Sequence, residues 1–186
     1  VDLMPAHGSH VDNEWLAHFL HRQAHGEALP SPEPVDVETV TRSIYQTYLH
    51  RKFTAIGIGG RSGSGKSTLL REVTAHLQDT IPSIHTLSTD DYHRGKTWLE
   101  TYNNGRPWTN WDDPIVYDTA ALGEDIARLA RGEAIYARRF NFATEEPEYT
   151  GVIEPSDAST LVLVEGLHAH SPELADSLHG FHEVTT

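Results

Sequence analysis

Between residues 59 and 68 the chain reads GGRSGSGKST, directly behind the apolar run Phe53-Thr54-Ala55-Ile56-Gly57-Ile58. Gly60-x-x-x-x-Gly65-Lys66-Ser67 is the P-loop spacing, in which glycines let the backbone curl until successive N–H groups point at phosphate oxygens. The loop formed by Gly60, Arg61, Ser62, Gly63, Ser64, Gly65, Lys66, Ser67 and Thr68 is therefore expected to cradle the phosphates of ATP. Lys66 would reach the β- and γ-phosphates and act in catalysis. Ser67 would offer its hydroxyl to Mg²⁺, and a helix opening at Lys66 would add the positive end of its dipole. A carboxylate is the second requirement, because an attacking hydroxyl must lose its proton. Asp90-Asp91 supplies one just after the run 84–89, and Glu165 closes the apolar run Leu161-Val162-Leu163-Val164. Asp90 is the expected base, and Asp90 and Glu165 with Ser67 form an all-oxygen set suited to Mg²⁺ or its waters. Simpler roles remain open for both carboxylates: a turn cap for the aspartate pair and a salt bridge for Glu165.

These groups must be carried by strands and helices in a set order. The residues ahead of the loop are β-branched or apolar, and Leu69, Leu70, Val73 and Leu77 behind it recur at helical spacing, giving strand, loop, helix. Residues 84–89 read as a short strand. In open α/β sheets ligands gather at the carboxyl ends of strands, which would bring Asp90 beside the γ-phosphate. Asn110-Trp111-Asp112-Asp113-Pro114 reads as a turn, with Trp111 either in the core or lining a pocket. Asp118 is a plausible N-cap for a helix to Arg131, with Leu122, Ile126 and Leu129 inward and Gly132 behind it. From Ala134 to Ile153 partial alternation, broken by an acidic turn at Glu145-Glu146-Pro147, predicts a hairpin standing off the main sheet and able to wall a substrate pocket. The run 161–164 is a buried parallel strand.

Ahead of the loop, residues 13–25 read as a short helix with Trp15, Leu16, Phe19 and Leu20 apolar, ended by Pro30-Ser31-Pro32-Glu33-Pro34. A second helix is expected over 35–51, with Val37, Val40, Ile44 and Tyr48 as its stripe. His18, His21 and His25 fall on similar sides of the first helix, but no carboxylate pattern accompanies them, and a polar helix is the preferred reading over a metal site. Gly8-Ser9-His10 resembles a cloning remnant, so Val1 to His10 are not expected to belong to the natural protein.

The chain of 186 residues is 38% hydrophobic, enough for one sizeable core plus an appendage. No apolar run reaches membrane-spanning length and no charged-then-apolar leader opens it, so a soluble cytoplasmic protein without membrane partners is expected. The absence of cysteine excludes disulfides and thiolate metal sites. A net charge of −13 argues against a general nucleic-acid binder. Self-association is left open.

The order GGRSGSGKST, STDDYHR, NWDDPIVYD, RFNF, LVLVEGLH resembles the uridine kinase and phosphoribulokinase group of P-loop kinases, from about Phe53 to the end. The resemblance implies an α/β fold: a nucleoside-kinase-like three-layer P-loop sandwich with a parallel sheet and a substrate-side β-hairpin insert. Residues 1–52 would be an N-terminal helical extension and 53–186 the kinase domain. It also implies a small-molecule acceptor, with Asp90 as base, Tyr92 and His93 as the aromatic pair beside it, and Trp111-Asp112 contacting the nucleoside. Phe140 and Phe142 match the hairpin aromatics that sandwich a base, with Asn141 where aspartate is usual. Glu145 stands where uridine kinases carry the histidine that reads the pyrimidine. Asp90-Asp91-Tyr92-His93 and Glu165-Gly166-Leu167-His168 lean toward phosphoribulokinases, in which a phosphorylated acceptor would call on Arg94, Arg138 or Arg139. Trp111 leans toward uridine kinases, the first choice. A nucleotide-binding regulatory module is the alternative outside enzymes; a GTPase-like switch is weakened by the lack of an N-K-x-D tetrapeptide. Residues 181–186 resemble the strand after which family members continue into a helix and an arginine-bearing lid, so the lid and C-terminal part are expected to be missing.

Overall fold

The computed structural model describes residues 36–156 and 159–185. The helix expected over 13–25, with its three histidines and the proline break behind it, lies outside the described residues.

Helix α1, Val37–Tyr48, starts where Asp36 caps it, the carboxylate accepting from the amides of Glu38 at 3.2 Å and Thr39 at 3.3 Å. Val40, Ile44 and Tyr48 lie on one face and are buried, as the stripe requires. Strand β1, Phe53–Gly60, then enters the centre of the sheet, and α2, Lys66–Leu77, returns across it with Leu69, Val73 and Leu77 inward. Strands β2, Ser83–Ser88, β5, Thr160–Glu165, and β6, Gly180–Val184, complete a four-stranded parallel sheet in the order β2-β5-β1-β6.

A parallel strand buried on both faces sends alternate side chains to opposite layers. Ile56, Ile58, Leu161 and Leu163 pack with the α1 and α2 residues Val40, Ile44, Leu69 and Val73. Ala55, Val162 and Val164 pack on the other side with Leu122, Ile126 and Leu129 of α4, Thr119–Ala130. The result is the three-layer α/β sandwich. Asp118 caps α4 through a hydrogen bond from the Ala121 amide at 3.1 Å, and Gly132 follows the helix with φ 80°.

Three features depart from the sequence reading. A short helix, α3, Lys96–Tyr102, occupies a stretch given no structure there, and a single turn of helix, α5, Pro172–Ala175, precedes β6. The hairpin of β3, Ile135–Asn141, and β4, Glu146–Ile153, forms as expected in its own two-stranded sheet, but its turn is 142–145. Glu146 and Pro147 are already in strand, opposite Asn141 and Phe140. Proline is tolerated because each strand of a two-stranded sheet has a free edge. Cross-strand partners offset the poor strand propensity of the acids: Glu148 accepts from Asn141 at 2.6 Å and from Arg139 at 3.2 Å. Among the described residues no helix is long and apolar enough to cross a membrane.

Candidate active site

The glycine-rich loop hangs from the end of β1. At Gly60, φ 142°, a side chain would collide with the Val184 carbonyl and with Ser64 Oγ, so only glycine fits between the loop and β6. Gly63 and Gly65, φ 78° and 95°, are left-handed for the opposite reason. A Cβ on either would meet nothing within 4 Å, because both line the open side of the loop. Gly65 is the N-cap of α2 and brings no side-chain hydrogen bond. The first-turn amides of α2, which no helix can satisfy internally, therefore face that opening. Lys66 folds across the loop, its Nζ donating to the Arg61 carbonyl at 2.7 Å, and Ser64 Oγ is buried without a hydrogen-bond partner. Free amides, an adjacent ammonium and an unobstructed hollow suit the phosphates of a nucleotide.

Strand register brings the carboxylates to the same edge. Ile58 of β1 is level with Glu165 of β5, which is level with Ser88 of β2. The residues that follow are the loop, Gly166 and the 3₁₀ turn Thr89–Tyr92 carrying Asp90. Gly166, φ 136°, passes so close to this turn that a side chain would collide with Thr89 Oγ1, while Ser88 Oγ accepts from the Asp90 amide at 3.3 Å. Asp90 is left exposed, and its charge is felt by Asp91, His93, Tyr117 and His168. Ser67, Asp90 and Glu165 thus offer hard oxygen donors along one edge, a chemistry that fits Mg²⁺.

Three residues past Asp90, His93 is the centre of an aromatic cluster. His93, 8% exposed, stacks on Phe140 at 4.0 Å between ring centroids and on Trp111 at 5.5 Å, with Tyr117 edge-on at 5.7 Å. Tyr117 leans on His168 at 4.3 Å, and Phe142 meets Phe140 at right angles, 5.1 Å away. His93 Nδ1 accepts from the Gly95 amide at 3.0 Å, which puts the proton of the neutral ring on Nε2. Burial lowers the His93 pKa, opposed by Asp90, Glu146 and Glu145. The hairpin is tied to the 3₁₀ turn by Asp91, whose carboxylate accepts from the Phe140 amide at 3.2 Å; burial pushes that carboxyl up.

The family model described as "Phosphoribulokinase / Uridine kinase family" matches residues 55–181. The chain belongs to this family. A uridine kinase of Alkaliphilus metalliredigens is 35% identical over 126 residues, covering 66% of this chain and 57% of the relative. The chain spans little more than half the length of the curated relatives it matches. Among solved structures, a candidate fructose transport system kinase from Silicibacter sp. TM1040 superposes with a TM-score of 0.67 at 17% identity, over 80% of this chain and 74% of that one. A candidate uridine kinase from Bacillus stearothermophilus gives 0.59 at 18% identity, over 79% and 78%. Both likenesses concern the fold.

Of the residues expected in this phosphoribulokinase/uridine kinase family member, those of the loop, Asp90 and Glu165 come to one sheet edge. His93, Trp111, Phe140 and Phe142 come to one cluster, and Asp112 is exposed beside Trp111. Three of the expected residues have partners of their own. Tyr92 is only 3% exposed; its hydroxyl donates to Asp125 at 2.9 Å and its ring lies under the Arg138 guanidinium, so it belongs to the core beneath the site. Burial and the Asp125 carboxylate push its phenol far above the ordinary range. Arg94 is spent on Asp118 at 2.9 Å and on the Ile115 carbonyl, holding the α4 cap rather than presenting a free cation. Arg139 pairs with Glu148 across the hairpin. His93 also changes the picture of an empty aromatic sandwich, because its imidazole already covers faces of Trp111 and Phe140. Tyr117, Asp91 and His168 were not assigned roles from sequence; only the place of His168, three residues past Glu165, hinted at the site.

Proposed function

We propose that this chain is the nucleotide- and acceptor-binding part of an ATP-dependent kinase that transfers the γ-phosphoryl group to a hydroxyl of a small uncharged metabolite, with a uridine- or cytidine-like nucleoside as the first choice. The observation that carries this reading is the position of Asp90, exposed in the turn after β2 at the same end of the sheet as the glycine-rich loop and three residues before His93 of the aromatic cluster. There the carboxylate accepts the hydroxyl proton as the acceptor oxygen bonds to the γ-phosphorus and the bond to the β,γ-bridging oxygen breaks, leaving ADP. Lys66 and the loop amides hold the phosphates. Mg²⁺, held by Ser67, Asp90 and Glu165, would neutralise phosphate charge.

The preference for an uncharged acceptor is supported by the arginines. Arg94, Arg138 and Arg139 are each paired with a carboxylate, Asp118, Asp125 and Glu148 respectively. A sugar phosphate would have to compete for them, whereas a nucleoside needs flat apolar surface, which Phe142 and Trp111 still expose. The names of the curated uridine kinases point the same way. The test is ATP consumption by the chain against a panel of nucleosides, pentose phosphates and small alcohols. Acceptor-dependent turnover with nucleosides is expected. Turnover only with phosphorylated acceptors would favour the phosphoribulokinase-like alternative, and nucleotide binding without turnover on any acceptor would favour a regulatory module.

A further inference from the structure

The hairpin carrying Phe140 and Phe142 is fastened near its turn by Asp91, through the Phe140 amide, and at the turn by a second set of bonds that the function above does not use. Helix α3 begins behind Gly95, which supplies no side-chain cap. Its first amides are taken instead by the hairpin, 49 residues further along the chain. Glu146 Oε1 accepts from the Thr97 amide at 2.8 Å and also from Thr97 Oγ1. The Glu145 carbonyl accepts from the Lys96 amide at 2.8 Å, and the Glu145 carboxylate pairs with Lys96 Nζ at 3.3 Å. Glu145 reaches this arrangement in a left-handed conformation, φ 59°, uncommon for a residue with a side chain. Gly95, φ 84°, sits so close that any side chain there would collide with Glu146 Oε2 and Pro147. The same Gly95 donates its amide to His93, whose ring supports Phe140.

From these contacts we infer that Glu146 is a positioning residue: its carboxylate latches the hairpin tip onto α3 and so holds the acceptor wall against His93. This rests on the reading of the hairpin as the acceptor wall. Glu145, which by resemblance stands where a base would be read, serves the same latch. The latch closes a loop of contacts from His93 through Gly95 and Glu146, along the hairpin to Phe140, and back to His93. Removing Glu146 leaves the Thr97 amide without its protein partner and the tip tied to α3 only through Glu145 and Lys96. It touches neither the phosphate loop nor Asp90.

Amide hydrogen exchange of the whole chain tests this without reference to activity. Glu146→Ala is expected to speed exchange together at 95–99 and 138–146, by about tenfold or more, and to leave the loop 60–68 unchanged. Glu146→Gln, which keeps an acceptor oxygen for Thr97, should recover most of the protection. In turnover assays with uridine as the probe, Glu146→Ala should raise the uridine KM about tenfold with the ATP KM within about twofold. Unchanged exchange at 138–146 in Glu146→Ala would overturn the latch, as would a Gln variant no better protected than Ala. Equal rises in the uridine and ATP KM values would overturn its positioning role. If the unmutated chain does not phosphorylate uridine, the choice of acceptor fails, and the exchange result alone decides the latch.

Discussion

The two sides of Asp90 handle their polar groups in opposite ways. On the side proposed to hold phosphate, nine neighbouring residues form a loop that is open at Gly63 and Gly65 and leaves the first-turn amides of α2 without a side-chain cap, with Lys66 tied only to the loop's own Arg61 carbonyl. On the acceptor side, most groups already have partners: His93 with Gly95, Phe140 and Trp111, Asp91 with the Phe140 amide, Arg94 with Asp118, and Glu146 with Thr97. A nest with unmet donors is organised for its ligand before the ligand arrives, so binding there costs little rearrangement. A cluster that satisfies itself must yield some contacts to an acceptor. Phosphate binding is therefore expected to be strong and insensitive to distant changes, whereas acceptor binding should depend on residues that never touch it.

The sharpest way to break this contrast is at the loop. Lys66→Ala should weaken ATP binding by about 10²-fold, the scale of losing a charged partner in a desolvated site, while leaving the melting temperature of the free chain unaltered. Calorimetry showing unchanged ATP affinity would remove the loop from the account. The two hairpin phenylalanines should separate next. Phe140 is 7% exposed and stacked on His93, so Phe140→Ala should cost about 3 kcal/mol in a denaturant titration as well as disturbing the acceptor. Phe142 is 78% exposed, so Phe142→Ala should leave stability alone and raise a nucleoside acceptor's KM by about tenfold, from lost stacking. Equal effects of the two variants on stability would show that the cluster is not packed as described.

The smallest effect is on pH. His85, His93, His168 and His179 have pKa values below the ordinary 6.5, chiefly through burial. His93 and His179 also accept backbone amides on Nδ1, from Gly95 and Ala55, which only an unprotonated Nδ1 can do. For a base depressed in the folded state, the unfolded chain takes up more protons below about pH 6.5, so stability present above that pH is lost as the pH falls through it. Asp91, raised by burial, works in the opposite sense at lower pH, where its protonation relieves the folded state. The urea midpoint should decline from about pH 7 to about pH 5.5. A flat profile would mean that these imidazoles are better solvated than their burial implies.

The same contrast explains what the sequence made legible. The loop, the stripe of α1, the Asp118 cap and the run ending at Glu165 depend on neighbours within a few residues, so spacing and residue type were sufficient. Tyr92, Arg94 and Glu146 find their partners 24 to 49 residues away, at Asp125, Asp118 and Thr97. No local pattern separates a tyrosine that lines a pocket from one whose hydroxyl is held by a buried aspartate. Likewise α3, with a weak glycine start, draws the partners of its first amides from hairpin residues 49 positions further along the chain.

Asp90 is the proposed base, and Asp90→Asn keeps its shape while removing its ability to take a proton. The decisive measurement is transfer of a labelled γ-phosphoryl group from ATP to the acceptor identified in the turnover screen, with calorimetry of ATP binding on the same samples. The expected result is near-normal ATP affinity with transfer slowed by about 10²-fold or more. Transfer at the unmutated rate would contradict the account and move the search for the base to Asp91.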